Sequence, residues 1–474
     1  MQYQIKTRHE RLLADTTTPV AIYLRLRDIY PNSILLESSE YHSRDNNISY
    51  ICCQPIAGIT LDREFLEVRY PNGEPNRRKP ANEIDLKKEV QEFRRAFKTD
   101  PALDSKLKVI PNGLFGYLTF DCIPYFEDIE LKAQVVPGRD IPPMQYHLYR
   151  YVIAIDHFHN EMHIFEHSTL EDEPSEMDKL RYLIQNKNFP EYSFSLEGEE
   201  KSNMDDESFI RLVNKMKEHI FRGDVFQIVP SRAFSRNFSG DEFNVYRALR
   251  SINPSPYLFY FDYGDFRLFG SSPEAQLTIR NREASIFPIA GTFKRTGNLE
   301  EDQQMAAKLQ ADPKESAEHV MLVDLARNDL SRHCGNVEVK SYKEAQYYSH
   351  VIHLVSRVSG LLGDVSASFN VVGDTYPAGT LSGAPKHRAI QLIDQYEDYS
   401  RSFYAGAIGY MGFGGDFNHA IMIRSFLSKK NTLYYQAGAG IVADSIPEME
   451  LKEVDNKVAA LRKALEQAKD INAQ

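Results

Sequence analysis

DPKESAEHVMLVDLARNDL, residues 312–330, and DSIPEMELKEV, residues 444–454, are the two stretches around which the rest of the chain is organised. Each reads as the start of a helix. Asp312 stands at a capping position with Pro313 just inside; in the second stretch Asp444 or Ser445 is placed to cap ahead of Pro447. Each helix then carries two glutamates three residues apart, Glu315 and Glu318 in the first, Glu450 and Glu453 in the second. Side chains at i and i+3 share a helix face, so each helix presents a carboxylate pair in one direction. A single pair of this kind is an ordinary solvated face. The apolar run Val320–Val323 behind the first pair indicates instead a largely buried helix, and buried carboxylates want a cation. Two such pairs facing each other would make an all-oxygen site, suited to Mg²⁺ that keeps some of its waters.

The chain has 474 residues, enough for two large domains or three smaller ones. Its net charge is −11 and it has no long basic run, which argues against a nucleic-acid partner. The first twenty residues are charged and lack a signal-peptide core, and no apolar run approaches the roughly 18 residues of a membrane helix. Cys52, Cys53, Cys122 and Cys334 form no metal or disulfide spacing. The expectation is a protein of the reducing cytoplasm.

Working outward, residues 20–165 read mostly as strands rich in β-branched and aromatic residues, at Ser33–Glu37, Asn47–Cys53, Phe65–Tyr70, Leu114–Phe120 and Tyr149–Ile155. A helix near Leu86–Phe97 interrupts them, and another spans about Pro174–Gln185. The polar, acidic stretch that follows reads as a linker. From Asp206 the pattern becomes helices alternating with paired strands, including a hairpin, Tyr257–Tyr263 and Phe266–Phe269, turning at Gly264-Asp265. One continuous strand is expected over His419–Leu427. Helices alternating with antiparallel pairs, with few βαβ units, indicate an α+β fold: a two-domain sandwich of antiparallel sheets flanked by helices. The boundaries expected are residues 1–186, a linker at 187–206, and 207–474.

Several side chains stand out chemically. Arg424, in the apolar run AIMIRSFL, is expected on a strand face shared with Met422 and Phe426, where a guanidinium needs an anion or a structural partner. Gly438-Ala439-Gly440 would let backbone amides approach an oxyanion, or simply form a turn. Glu274, in GSSPEA, is either a loop glutamate or a general acid. His353 shares a strand face with Val351 and Val355, a setting as fit for a core histidine as for a catalyst. Thr380 and Lys386 flank the shaped loop TLSGAPK. Gln227, inside VFQIV, must find hydrogen bonds. Together these groups are what a metal-assisted site for a small polycarboxylate needs.

At this point the sequence resembles the chorismate-utilising enzymes, and among them the anthranilate synthase large subunits. The segments that carry the resemblance are LLES (35–38), GDVFQIVPSR (223–232), NPSPYLFY (253–260), GSSPEA (270–275) and PIAGT (288–292). They continue as AEHVMLVDLARNDL (317–330), HLVSRV (353–358), GTLSGAPK (379–386), IRS (423–425) and QAGAGIVADSIPEMELKE (436–453). The resemblance implies the fold of that family, which aminodeoxychorismate synthase shares. It implies Mg²⁺ held by Glu318 and Glu453 with Glu315 and Glu450 supporting. Chorismate contacts match Gly291, Thr292, Tyr404, Arg424, Gly438, Ala439 and Gly440. The proton donor to the departing hydroxyl matches Glu274, with His353 and Thr380 near the ring.

The expected reaction is addition of ammonia to chorismate and elimination of pyruvate, giving anthranilate as the first step of tryptophan biosynthesis. Relatives that add water carry a lysine at the position of Gln227, and aminodeoxychorismate synthases carry one at Ala290. Neither lysine is present here. After PIAGT the family continues RPRG, where this chain has Phe293-Lys294-Arg295-Thr296-Gly297, and its PYM segment is here Pro256-Tyr257-Leu258. No cysteine sits in an amidotransferase-type nucleophile elbow, so a separate glutamine amidotransferase subunit is the implied partner. Ser38, Pro256, Tyr257 and Leu258 match the family's tryptophan feedback site. The alternatives are an aminodeoxychorismate synthase component and a non-catalytic tryptophan-binding homologue; loss of the metal carboxylates or Glu274 would mark the latter, and none is lost.

Overall fold

Antiparallel pairing carries the chain through two runs of strands that start from the same place. The computed structural model describes residues 2–38, 47–100, 107–170, 173–347 and 351–471. The long strands Ile48–Leu61 and Met144–Asp156 pair with each other along most of their length. From Ile48–Leu61 one run passes through Ile34–Ser38, Tyr257–Asp262, Phe266–Ser272, Ser425–Lys429 and Thr432–Gly438 to Ser231–Gly240. From Met144–Asp156 the other passes through Gly113–Leu118, Ala407–Gly412, Phe417–Ile421, Ala275–Arg280 and Glu283–Ile286 to Val351–Leu362. Helices flank these sheets, as the α+β reading expects. Two ladders, Ile34–Ser38 on Tyr257–Asp262 and Gly113–Leu118 on Ala407–Gly412, join the first half of the chain to the second.

The chain changes run twice at neighbouring points, and this is where the sequence reading needs its main correction. His419–Leu427 is not one strand. Phe417–Ile421 ends in one run and Ser425–Lys429 begins in the other. Arg424 sits in the break with φ +48°, in the left-handed region, so it shares no strand face with Met422 and Phe426. The apolar run AIMIRSFL is buried by packing on both sides of the crossing, and hydrophobicity alone does not reveal such a corner. The turn between Phe266–Ser272 and Ala275–Arg280, which holds Glu274, makes the same change of run. The two crossings are laced together: Ser271 N donates to Arg424 O at 3.1 Å and Ile421 N to Glu274 O at 3.0 Å.

The stretch expected as a linker contains the strand Phe194–Ser202, which pairs with Ser231–Gly240. Most of its residues are exposed, and Glu200 turns in to pair with Arg462 at 2.8 Å. Cys334–Tyr347 is a further strand absent from the sequence reading; it pairs with Val351–Leu362 through three register shifts, and little of it is buried. With neither a buried face nor strict alternation, neither stretch carries a strand signature.

The helix Pro313–Ser331 begins as expected, with Asp312 Oδ1 accepting from Glu315 N at 3.1 Å. Its buried stripe is His319, Leu322, Val323, Ala326 and Leu330, while Val320 is 46% exposed, so the helix is amphipathic rather than largely buried. The C-terminal helix Pro447–Gln467 has Ile446 at its N-cap with no side-chain cap. Ser445 Oγ is engaged by Val442 N at 3.0 Å. Among the described residues no helix is long and apolar enough to cross a membrane.

Candidate active site

Glu274 is buried at the crossing of the two runs, and Thr380 Oγ1 donates to its Oε1 at 2.9 Å. Burial pushes the Glu274 carboxyl up to about 7; the Thr380 hydrogen bond and the charges of Lys457 and Arg424 pull the other way. Burial wins because a carboxylate loses its hydration there and, among the described residues, no cation is in direct contact. The result is a carboxylic acid with a substantial protonated fraction at neutral pH.

Arg424, in the adjacent crossing, is half-buried and makes no ion pair among the described residues. A left-handed conformation costs a non-glycine residue on the order of 1–2 kcal/mol. The hydrogen bond through its own carbonyl and the crossing on either side hold it there. Burial lowers the guanidinium's pKa, with Glu274 opposing.

His353 is buried in Val351–Leu362, and its Nδ1 lies 3.0 Å from Gly291 O. A carbonyl only accepts, so Nδ1 carries the proton, and in the neutral ring Nε2 is the basic nitrogen. Burial is the main force lowering the pKa, aided by Arg424 and opposed by the Gly291 bond, so the ring is held neutral. Gly291 has φ +75°, and a Cβ there would lie 2.8 Å from Leu309 Cδ1 and 3.0 Å from Glu315 Oε2. That approach places one carboxylate of the first helix beside the His353 strand. The side chain of Thr292, opposite His353 in the ladder, lies outside the described part of the structure.

Gln227 answers the question its sequence setting poses only in part. Its Nε2 donates to Glu318 Oε1 at 2.8 Å, while its Oε1 is buried with no partner. A Cβ on Gly440 would lie 2.8 Å from Gln227 Nε2 and 3.8 Å from Glu318 Oε1, so the glycine stretch closes over the Glu318 end of the first helix. On its other side this stretch meets the second helix, where Lys457 Nζ donates to Gly438 O at 2.8 Å and pairs with Glu453 at 2.7 Å. The Gly438 and Ala439 backbones are already engaged, by Tyr404 and Pro230 O respectively. Tyr404 is buried with its hydroxyl 3.2 Å from a Cβ built on Gly438.

One glutamate of each pair thus reaches the glycine stretch, Glu318 beside Gly440 and Glu453 through Lys457. Among the described residues no three acidic, histidine or cysteine side chains gather as a metal site. Glu450 is buried, Glu453 has 47% of its side chain exposed, and Gln227 and Lys457 hold one glutamate of each helix. The donor set is all oxygen, and the orphaned Gln227 Oε1 beside Glu318 adds another. This chemistry fits a hard divalent cation.

Lys457 is a participant that the sequence reading missed. Its spacing of four from Glu453 was the available signal. The Lys386 ammonium, noted only as a loop flank, pairs with Asp329 at 2.6 Å, both buried. Ser38 lies directly opposite Tyr257, and Leu258 opposite Glu37; Pro256 immediately precedes the strand. Two segments more than two hundred residues apart in sequence are therefore neighbours in one ladder. Glu37 is buried and accepts from Tyr246 OH at 2.6 Å and Arg250 Nε at 3.0 Å.

The family of chorismate binding enzymes matches residues 32–463. The chain belongs to the chorismate-binding enzymes. Two relatives in this family are each named anthranilate synthase component 1: one from Aquifex aeolicus, 36% identical over 99% of this chain and 96% of that protein, and one from Neisseria meningitidis, 37% identical over 97% and 95%. The crystal structure of anthranilate synthase component I from Streptococcus pneumoniae superposes with a TM-score of 0.76 at 32% identity, covering 96% of this chain and 99% of that one. The menaquinone-specific isochorismate synthase from Escherichia coli shares the fold, with a TM-score of 0.75 at 20% identity. The fold expected from the sequence is thus the observed one, and this chorismate-binding enzyme is similar over nearly its whole length to the anthranilate synthase components.

Proposed function

We propose that the chain is the chorismate-aminating component of an anthranilate synthase, converting chorismate and ammonia to anthranilate and pyruvate. The observation that carries this reading is the juxtaposition, at two crossings laced to each other, of a protonatable Glu274 and the Arg424 guanidinium, which makes no ion pair among the described residues. Arg424 offers a planar fork to a substrate carboxylate. Glu274 gives its proton to the C4 hydroxyl, which leaves as water while ammonia bonds to C2. Thr380 orients the carboxyl for that transfer. His353 Nε2 then takes the C2 proton as the C3–O bond breaks and the ring becomes aromatic; the enolpyruvyl group leaves as an enolate and becomes pyruvate by taking a proton at its methylene carbon. Tyr404, Gly291, Thr292 and the Gly438–Gly440 backbone shape the substrate walls. The Gln227 amide is no base to activate water and the Ala290 methyl is no nucleophile, which favours amination at C2 without a covalent adduct.

Glu318 and Glu453, with Glu315 and Glu450 behind them, are the residues that would hold Mg²⁺. When bound there, the ion supplies Lewis-acid polarisation of the ring carboxylate. Residues 207–474 form the catalytic part in this reading and residues 1–186 carry the Ser38 side of a tryptophan site completed by Pro256, Tyr257 and Leu258. Ammonia comes from a glutamine amidotransferase subunit in the cytoplasm.

The test is incubation of the purified chain with chorismate and Mg²⁺, supplied with either an ammonium salt or glutamine. Anthranilate fluorescence is expected with ammonium and not with glutamine. Aminodeoxychorismate or isochorismate as the main product would overturn the reaction assigned. Anthranilate made from glutamine by the single chain would overturn the need for a partner.

A further inference from the structure

Behind the site lies an ion pair that the reaction does not touch. Arg401, 1% exposed, is bound by Glu397 through Nε to Oε2 at 2.8 Å and Nη2 to Oε1 at 2.6 Å. A buried pair of this kind is weak grounds for stability, since desolvation offsets much of the attraction. What distinguishes this one is where its remaining hydrogen bonds go. Arg401 Nη1 donates to Leu381 O at 2.7 Å and Nη2 to Val229 O at 2.6 Å. Leu381 follows Thr380, which holds Glu274. Val229 lies two residues after Gln227, which holds Glu318. These two backbone segments also brace each other: Gln227 pairs with Ala384, and Val229 N donates to Ser382 O at 3.0 Å.

Glu397 reaches the third wall. Its Oε1 accepts from both N and Oγ of Ser231 at 2.8 Å, and Ser231 is paired with Gly438 in the ladder. Gln436 Nε2 donates to Ser231 Oγ at 2.7 Å. The Arg401 guanidinium also lies 5.7 Å from the centroid of the Tyr404 ring.

We propose that the Arg401–Glu397 pair is the positioning element of this site, fixing from behind the Thr380 contact to Glu274, the Gln227 contact to Glu318 and the Gly438 wall. Neither residue meets substrate. Four hydrogen bonds from one rigid fork and one carboxylate tie together three segments that also pair through their backbones, and they add a side-chain link common to all three. The planar guanidinium satisfies two carbonyls and a carboxylate at once, which an ammonium of the same charge does not. This inference rests on the chorismate-amination reading for its activity assay, and on the geometry alone for its physical content.

The test compares Arg401→Lys, Thr380→Val and the double variant. Thr380 stabilises the ionised form of Glu274, as do Lys457 and Arg424. If Arg401 seats Thr380, Arg401→Lys moves the alkaline limb of kcat/KM upward by about half to one pH unit, the size of one hydrogen bond. Rates are taken relative to wild type at each pH, so that the ionisation of ammonia cancels. Thr380→Val moves it equally, and the double variant no further. An unmoved limb, or shifts that add in the double variant, would overturn the proposal even if melting temperature falls.

Titration of Glu274 by carbon NMR of δ-¹³C-glutamate protein, assigned with Glu274→Gln, reads the same shift without turnover. A wild type that makes no anthranilate therefore overturns the functional reading and leaves this test standing. Should Arg401→Lys not fold, Glu397→Gln decides the matter. It keeps the shape of the pair and removes its charge; an upward shift is expected, and an unmoved limb overturns the proposal.

Discussion

Thr380 donates to Glu274 Oε1 at 2.9 Å, and this bond works against the burial that raises the carboxyl to about 7. The balance fixes the pH range in which the residue can serve as an acid. The rate is expected to fall as pH rises through about 7, once the ionisation of ammonia is divided out, because the acid must be protonated in the free enzyme. Glu274→Gln is expected to lower turnover by roughly 100- to 10,000-fold, the usual worth of general acid catalysis. An unchanged alkaline limb in that variant would assign the limb to another group.

The same carboxyl makes a stability prediction of definite sign. Its folded-state pKa lies above its ordinary value of 4.5, so the folded chain holds an extra proton between about 4.5 and 7. Its contribution to stability therefore declines as pH rises through that window. Glu274→Gln removes the ionisable group and is expected to melt above wild type at pH 8, but not at pH 4. Equal melting temperatures at both pH values would show that the carboxyl carries no burial cost.

The carboxylates of this site were legible in the sequence because they sit in the first two turns of helices, although the second helix starts at Pro447 without a side-chain cap. The Asp312 cap and the i, i+3 glutamates could be read from spacing alone. Arg424 was recognised by its type and misplaced by its surroundings, since an apolar run looks the same whether it continues one strand or turns a corner between two. The strands Phe194–Ser202 and Cys334–Tyr347 escaped because they bury so little. Arg401 and Glu397 escaped for the opposite reason: their significance lies in carbonyls at Val229 and Leu381, and backbone acceptors leave no mark on a sequence. Gln227 was seen to need partners, but the identity of one, Glu318, required the fold.

For the metal reading, the expected order of effects is specific. Glu318→Gln and Glu453→Gln are expected to abolish nearly all turnover. Gln227→Leu, which removes a neighbour of Glu318, is expected to weaken Mg²⁺ by about 10- to 100-fold, as loss of an outer partner does. The measurement is a Mg²⁺ titration of activity, paired with Mn²⁺ binding by electron paramagnetic resonance. Wild-type metal affinity in Glu318→Gln or Glu453→Gln would remove that residue from the set.

Arg424 has no anionic partner among the described residues, so its value should appear only with substrate present. Arg424→Ala is expected to lower kcat/KM for chorismate by about 30-fold or more, equivalent to the 2 kcal/mol at the lower end for truncating a desolvated charge pair. Arg424→Lys should recover only part of this, because the charge returns without the fork. Full recovery by lysine would show that charge alone suffices.

Ser38 closes the strand Ile34–Ser38 directly opposite Tyr257, and the adjacent Glu37 is engaged by Tyr246 and Arg250. Successive strand residues face opposite sides, so Ser38 is turned away from that buried cluster. A ligand gripped by Ser38 and by Pro256, Tyr257 and Leu258 would sit across the ladder that joins the first half of the chain to the second. It can alter catalysis only through a difference in its affinity for two arrangements of that junction, typically 1–3 kcal/mol. A hydrogen bond that Ser38 Oγ accepts from the charged amino group of tryptophan is worth about 1.5–3 kcal/mol. Ser38→Arg or Ser38→Phe is therefore expected to leave ammonia-driven turnover largely intact while weakening tryptophan inhibition at least about tenfold, the equivalent of 1.4 kcal/mol. Anthranilate fluorescence against tryptophan concentration makes the comparison. Unchanged inhibition in a folded variant would remove Ser38 from the site, and a wild type insensitive to tryptophan would remove the site.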